Sequence, residues 1–449
     1  MKYYSAVPRL KISSSMGIHI FNRVSLCAAF LLGTISFSHA DYYYVKDLGT
    51  LGGNTSAAYA LNNLGQVVGY SDTNSLVSHA VLFSGTGSNN IDLDVLGGNT
   101  TIGEAQGIND SGQIVGEATP SAGGRVEGVL YKASGTVALD DLCDNDVSAG
   151  SGVAINNSGT IVGWADSCFF TVEPCRFSGT GTGNLALPGI GGGISGIAFA
   201  VNASGQTVGY IDRSDGARHA TLFGSPGGSS VDLGTLGGLN SLAYGINDAG
   251  QIVGTSLITT NSSFHATLFS GTGSNNIDLG SLGSGNSHAY AINKLGEIVG
   301  NSYPGNSSVY HAFIYKNGVM TDINGLLLPG SGFSNIRLIE AGSRVPGKVI
   351  NDSGQIAAVG EIGGRTHAVL LTPVLRKVGA QRSGNDIIVT FDAIAGKTYH
   401  LESTTTLSPP NWQSVPGVAD ITAVNTGQAQ FIQTNGATSG KAYYRVRLL

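Results

Sequence analysis

Charge is scarce in this chain. Asp, Glu, Lys and Arg make up 12% of its 449 residues, and acids outnumber bases 29 to 23. No basic stripe runs along any segment, which argues against a nucleic-acid partner. Long apolar runs are also missing: the longest, Val24 to Phe37, is too short to span a bilayer comfortably as a helix. Cysteine is limited to four residues. Ser, His and Asp are all present, but no Gly-x-Ser-x-Gly elbow presents a nucleophile. The Gly-x-Gly runs at Ser84 to Ser88, Ser178 to Gly183 and Ser270 to Ser274 have no helix after them, so they read as turns rather than phosphate cradles.

What the chain has in plenty is Gly, 68 residues, with many Thr, Ser and Asn. Together with 41% hydrophobic content this is a turn-rich all-β composition, not a disordered one. Lys2, Arg9, Lys11 and Arg23 precede or flank the apolar run, no acid accompanies them, and Ser38-His39-Ala40 ends in a small residue. Residues 1–40 therefore read as a cleaved secretory signal, with Met16 an alternative start and no transmembrane segment left after removal. Cleavage would take the net charge from −6 to −10 and leave Cys143, Cys168 and Cys175. Cys168 and Cys175 share one loop and are the expected disulfide; Cys143 is the alternative partner for either.

One nine-residue phrase occurs seven times. Its clearest copy is Ile246-Asn247-Asp248-Ala249-Gly250-Gln251-Ile252-Val253-Gly254. The shared asparagines are Asn62, Asn109, Asn156, Asn202, Asn247, Asn293 and Asn351, spaced 47, 47, 46, 45, 46 and 58 residues apart. Asn can bond its own downstream backbone at the head of a type I turn, and Gly three residues on accepts the φ that closes it. Two apolar runs meeting at such a turn make a β-hairpin. The alternating oxygen ligands and late carboxylate of a calcium loop are absent.

Between residues 41 and 374 four segment types cycle. They are Ala-x-Ala-Ile-Asn, Gln-Ile-Val-Gly, His-Ala-x-Leu-Phe and Ile-Asp-Leu-Gly. Four short strands per 46 residues is the unit of a propeller blade. The chain opens with a lone fourth strand at Tyr43 to Gly49 and ends the series on a third strand, His367 to Leu371. Seven complete sets exist only if these two segments pair, which also removes the exposed edges. The expectation is a seven-bladed β-propeller over 41–374, closed by its N-terminal strand.

The pieces Asp47-Leu48-Gly49-Thr50-Leu51-Gly52-Gly53, Ile108 to Gly116 and His311-Ala312-Phe313 resemble the bacterial extracellular HAF repeat family. Asp322 to Phe333 before Ile350-Asn351 is similar to that family's longer closing repeat. The resemblance covers about 330 residues, because several motifs recur in fixed order. It implies export and repeats, and supplies no agreed activity. Unit three departs most, lacking the His and carrying Cys168 and Cys175.

Residues 375–449 break the period. Ile387 to Phe391, Tyr399 to Glu402 and Tyr443 to Arg447 read as strands and Trp412 as a core anchor, which suits a small fibronectin type III-like β-sandwich. It carries seven basic and four acidic residues, against 12 and 25 in 41–374. The two parts are thus expected to contact different things, or each other.

The five histidines at His79, His219, His265, His311 and His367 lie on different units, about 10 Å or more apart given ~4.7 Å between strands. Zinc needs ligands about 2 Å from the ion, so no metal is expected and each His should bond a neighbouring unit's backbone. Variable loops after the second strand share one face, where binding usually sits. There the candidate binding residues are Tyr70, Asp72, Trp164, Asp166, Tyr210, Arg213 and Arg365, with Asp212, Asp215 and Arg218 nearby. The aromatics could stack on sugar or pack on the rim. No carboxylate pair is fixed at a glycosidase separation, so no catalytic residue is named.

The reading is a secreted or cell-surface bacterial protein, with the periplasm an alternative address. It is expected to be monomeric, to need no cofactor and to have no enzymatic activity, engaging a polysaccharide or extracellular protein through one propeller face. The alternatives are a polysaccharide-active glycosidase or lyase, and a structural envelope component.

Overall fold

The computed structural model describes residues 42–448 apart from short stretches, the longest being 94–101, 143–148 and 340–346. The expected signal segment, Cys143 and Trp412 lie outside the described residues. What is described is all-β.

Six sheets follow one plan, four consecutive antiparallel strands in chain order. The first sheet is Gly52–Leu61, Val67–Thr73, Ser78–Phe83 and Ile91–Asp92. The second to sixth begin at Ile102, Gly150, Gly196, Gly237 and Ser287. The seventh takes Ser334–Arg337, Ile356–Ile362 and Arg365–Val374, and its fourth strand is Tyr42–Asp47 from the other end of the series. That pairing runs from Tyr42 opposite Val374 to Asp47 opposite Val369. It is the junction that the count of segment types requires.

Hydrophobic clusters join each sheet to the next. Val208 and Ala220 of the fourth sheet, for example, pack with Ala243, Ile252 and Phe269 of the fifth. Ala357, Ala368 and Leu370 of the seventh pack with Leu61, Val67, Val81 and Phe83 of the first. The first two strands of a sheet, such as Ile102–Ile108 and Ile114–Thr119, are buried almost throughout, because neighbouring sheets cover both faces, and short fourth strands such as Ile91–Asp92 are exposed.

The seven asparagine turns explain the strongest repeat. In the first, Gly65 N–H donates to Asn62 O, and Gly65 has φ +79°. Asn62 Oδ1 accepts from Leu64 N and Gln66 N, so the side chain replaces a missing strand partner. Its Nδ2 has a further role that turn chemistry does not announce: it donates to Asn109 O, 3.0 Å away in the next sheet. Asn109 donates to Asn156 O, and the series passes through Asn202, Asn247, Asn293 and Asn351. Asn351 Nδ2 donates to Asn62 O at 3.2 Å, returning to the first turn.

The Ala-x-Ala segment carries a second local rule. In six sheets the first strand slips register at the central residue, Tyr59, Gln106, Val153, Phe199, Tyr244 or Tyr290. Such a β-bulge pushes one carbonyl toward the partner strand. A Cβ on Gly69 would stand 1.9 Å from Ala57 O, and the same distance recurs at Gly116, Gly163, Gly209, Gly254 and Gly300. The glycine of Gln-Ile-Val-Gly is therefore set by the bulge across from it. In the seventh sheet, where Ser334–Arg337 and the Val349–Ile350 segment divide the first-strand role, Ala358 takes that position.

Two expectations need correction. The histidines do not bond a neighbouring sheet's backbone. His79 Nδ1 meets Asp92 at 2.7 Å, His219 meets Asp232, His265 meets Asp278 and His311 meets Asp322, each on the fourth strand of its own sheet. His367 meets Asp47 across the closing junction. The two sheets without His carry Ala138 and Ala186 in the register of that Asp, so His and Asp are lost together. The second correction concerns the disulfide. Cys168 is disulfide-bonded, whereas Cys175 is buried with a free thiol. Cys175 pairs in register with Gly163, whose strand runs about 10 Å further before the turn of Cys168, beyond disulfide reach. Its side chain packs with Ile161, Ala165 and Phe177. Burial pushes its thiol up to about 12, so it is unreactive as a nucleophile.

The C-terminal part forms two further sheets. One holds Gly379–Ser383, Asp386–Ala393 and Gly427–Gln433. The other is centred on Thr398–Thr404, flanked by Tyr443–Leu448 and by the short strands Gln413–Ser414 and Ile421–Thr422. Val389, Phe391, Tyr399, Leu401, Phe431 and Val446 from both sheets share one core.

Candidate binding face

Each of the seven sheets has a turn end, marked by its Asn, and a loop end, reached by the second and third strands. The register makes the loop ends directly comparable. Directly after the second-strand Gly stand Tyr70, Glu117, Trp164, Tyr210, Thr255 and Asn301. Two residues further out stand Asp72, Thr119, Asp166, Asp212, Leu257 and Tyr303. Sheets one, three and four thus end in an acid, and sheets five and six in an apolar or aromatic residue.

The carboxylates of the acidic group already have partners. Asp72 accepts from Thr55 Oγ1 at 2.5 Å and Ser78 Oγ at 2.8 Å. Asp166 is buried, accepts from Ala149 N and has Arg125 3.8 Å away. Asp212 holds Arg218 through two bonds, 2.6 and 3.0 Å, and the Arg218 guanidinium lies 4.1 Å from the Tyr210 ring centroid. That pairing with Asp212 holds the Arg218 guanidinium above its ordinary value. Tyr210 itself is buried between Phe199 and Arg218, and burial outweighs the nearby cation to raise its phenol. Arg213 bridges Asp215 and Asp232, both at 2.8 Å. Tyr70 is half-buried with its ring 5.8 Å from Tyr59, Trp164 borders the same hydrophobic cluster as Tyr210, and Arg365 is exposed. The named residues are spread over four sheets, and of these only Trp164 and Tyr210 border a common cluster.

The residues that sequence reasoning missed lie on sheets five and six. Tyr303 and Tyr310 bracket the sixth loop with ring centroids 3.8 Å apart and planes 18° apart. His288 stands edge-on to Tyr310 at 5.8 Å, and Phe264 of the fifth sheet is 6.0 Å from His288. Val309 and Leu239 are exposed beside the loops of the same two sheets. The signal was present: Gly300-Asn301-Ser302-Tyr303 aligns with Gly69-Tyr70-Ser71-Asp72, so aromatic replaces acid at one position. On the second sheet, Glu104 and Glu117 oppose one another across the first two strands, both buried. Burial, then the charges of Glu117 and Glu104, raises the Tyr131 phenol beside them.

The turn ends present a different surface. A cavity open to solvent is lined by turn residues from all seven sheets, among them Asn63, Asp110, Asn157, Asp248, Lys294 and Asp352. Its carboxylates serve the turns: Asp110 accepts from Asn63 N at 2.8 Å, Asp248 from Ala203 N and Asp352 from Lys294 N. Burial pushes the Asp110 carboxyl up, but bonds from Asn63 and Asn157 and the Lys348 cation outweigh it, leaving it below the ordinary value. Among the described residues no group of three or more His, Cys, Asp or Glu is disposed to hold a metal ion. No described helix is long and apolar enough to cross a membrane, which says nothing of a β-barrel. No family model and no curated protein matches the chain.

Proposed function

We propose that the seven sheets are the blades of a seven-bladed β-propeller, belonging with the HAF-like extracellular repeats and followed by a fibronectin type III-like sandwich. The strand Tyr42–Asp47 paired to Arg365–Val374 and the asparagine series that returns to Asn62 support that reading. On it, the protein is exported and binds polysaccharide without turnover through its loop face. The observation that carries the function is the aromatic group Phe264, Tyr303 and Tyr310, half-buried rather than fully packed away. Flat, partly wet aromatic faces stack on sugar rings at little entropic cost. Affinity electrophoresis of the purified protein through a panel of neutral and acidic polysaccharides tests it. Retardation by at least one polymer, lost in Tyr303→Ala and Tyr310→Ala and weakened in Tyr70→Ala and Trp164→Ala, is expected. A wild-type protein that no polymer retards overturns the reading.

A second reading, a polysaccharide-cleaving propeller, is favoured by one feature. Glu104 and Glu117 are buried and face one another across two strands, and a retaining glycosidase uses two facing carboxyls as acid and nucleophile. Release of reducing ends, abolished by Glu117→Gln and Glu104→Gln alike, would replace binding by turnover.

A further inference from the structure

The C-terminal sheets hold a constellation that the repeat does not use. His400, in the middle of Thr398–Thr404, has Ser414 Oγ 2.9 Å from Nε2 and Asp420 Oδ1 2.5 Å from Nδ1. Among the described histidines, His400 is the one whose Nδ1 meets a carboxylate while its Nε2 meets a hydroxyl. The five repeat histidines have the first half of this arrangement without the second.

The local fold explains how the three side chains meet. Residues 413–422 run antiparallel along one edge of Thr398–Thr404, with Ser414 opposite Glu402 and Ile421 opposite Tyr399. Between these contacts the chain leaves the edge in a turn, where Val418 N–H donates to Val415 O and Gly417 has φ +75°. Pro416 and Gly417 suit the two central positions of a type II turn. Ser414 and Asp420 stand at the two feet of this turn, and His400 lies between them. The Asp carboxylate accepts Nδ1–H, which leaves the Nε2 lone pair to face the hydroxyl. Ser414 is exposed, so a substrate can reach Oγ from solvent.

We propose that Ser414, His400 and Asp420 form a serine-nucleophile centre for carboxylic esters of short acyl groups. A triad is recognised by geometry and roles, not by sequence order or fold. Ser414 Oγ bonds to the acyl carbon as its proton passes to His400 Nε2. The ester C–O bond breaks and the alcohol departs with that proton. Water then attacks the acyl carbon, giving a proton to His400; the bond to Oγ breaks, Oγ regains the proton, and the carboxylic acid leaves. Asp420 is a positioning residue that keeps the imidazole in the required tautomer. In the turn after Ser414 the N–H groups of Val415 and Val418 donate to Leu401 O and Val415 O and Pro416 has none, so the Gly417 N–H, without a partner among the described residues, is the oxyanion donor the turn offers. The exposed, solvent-screened setting restricts the centre to activated bonds: esters with small acyl groups, not amides. The same two bonds also hold the feet of the turn together, and a stapling role alone predicts no chemistry at Oγ.

The purified protein is treated with a fluorophosphonate and, separately, with p-nitrophenyl acetate. One covalent adduct mapping to Ser414 is expected, with ester turnover that falls about a hundredfold or more in Ser414→Ala and in His400→Gln. His265→Asn, which disrupts a His–Asp pair lacking a hydroxyl, should leave turnover unchanged. Because the Ser414 side chain is exposed, Ser414→Ala keeps the strand pairing intact, and an unchanged circular-dichroism spectrum verifies this. Absence of an adduct at Ser414, or turnover equal to that of Ser414→Ala, overturns the proposal. Polysaccharide retardation of the same variants is read separately, so failure of either reading leaves the other standing.

Discussion

The two ends of the repeating sheets are built on opposite plans. At the turn end, seven copies of one phrase make nearly identical bonds, most of them buried, and each side chain reaches into the next sheet. At the loop end some polar contacts also cross, as where Ala220 N–H donates to Ser241 Oγ and Ala266 N–H to Ser287 Oγ, but others stay within a sheet, such as His265 to Asp278 and Arg218 to Asp212, and there the residue at a given register changes from acid to aromatic. A bond that joins neighbours must be kept in every copy, because any gap interrupts the series. A bond internal to one sheet can change alone. The difference makes the turn end the more uniform of the two and leaves the outermost loop residues free to vary.

The largest effect is expected from removing the junction. Deleting residues 42–47 takes away Tyr43 and Val45, both buried, and exposes the edge of Arg365–Val374. Two buried side chains are worth roughly 2 kcal/mol each, and six paired backbone positions are lost with them. The total approaches the stability of a whole domain. Cooperative unfolding in urea should disappear, with aggregation through the open edge seen by size exclusion. A deletion variant that still unfolds cooperatively would mean the closing strand is an ornament.

Next come the asparagines. Asn247→Ala removes the acceptor for Ala249 N and Gln251 N and the donor to Asn293 O, at a buried position. Leaving these groups unpaired should cost about 3 kcal/mol. Asn247→Asp separates the two roles. It keeps both turn acceptors but sets a carboxylate oxygen against the Asn293 carbonyl. Urea midpoints in which Asp is as costly as Ala place the stability in the link between sheets; a neutral Asp would place it in the turn alone.

These two effects mark how far the sequence could be read. Asn and Gly announce a turn because their chemistry is local, and the pairing of Tyr42–Asp47 with Arg365–Val374 follows from counting segments. The Asn-to-Asn donation was not legible, since Nδ2 reaches a residue 47 positions away whose identity in the turn explains itself already. The strand-two glycine has no reason in its own strand; its reason is a carbonyl raised by a bulge on another strand. Cys168 and Cys175 looked paired by proximity in sequence; strand direction carries them apart. Tyr303 was hidden because Asp72, Asp166 and Asp212 mark its register as acidic in three other sheets, and Tyr310 because its ring meets Tyr303 only once the loop between them is folded.

Acid distinguishes the ends more gently. Asp110 at the turn end sits below its ordinary value of 3.8. A carboxyl depressed in the folded state contributes stability that is complete above 3.8 and is lost as pH falls through the folded value. Urea midpoints measured from pH 5 to pH 2 should therefore decline less steeply in Asp110→Asn than in the parent. An equal decline would show that the Asn63 and Asn157 bonds do not favour the ionised form.

The smallest effect should come from the loop-end pairs. His265 and Asp278 are joined at 2.8 Å, yet their side chains are 20% and 42% exposed, so water competes for both. Asp278 also accepts from Gly280 N–H, so replacing it disturbs a turn as well as the pair. Single substitutions therefore overstate the contact, and a double-mutant cycle of His265→Ala with Asp278→Ala isolates it. The coupling should be about 0.5 to 1 kcal/mol, the range of exposed ion pairs. The recurrence of His with Asp in five sheets, and their joint absence from two, then reflects a register lock between third and fourth strands more than a source of stability. A coupling near 3 kcal/mol would erase the contrast, because the loop end would then hold the architecture together as strongly as the asparagine turns do.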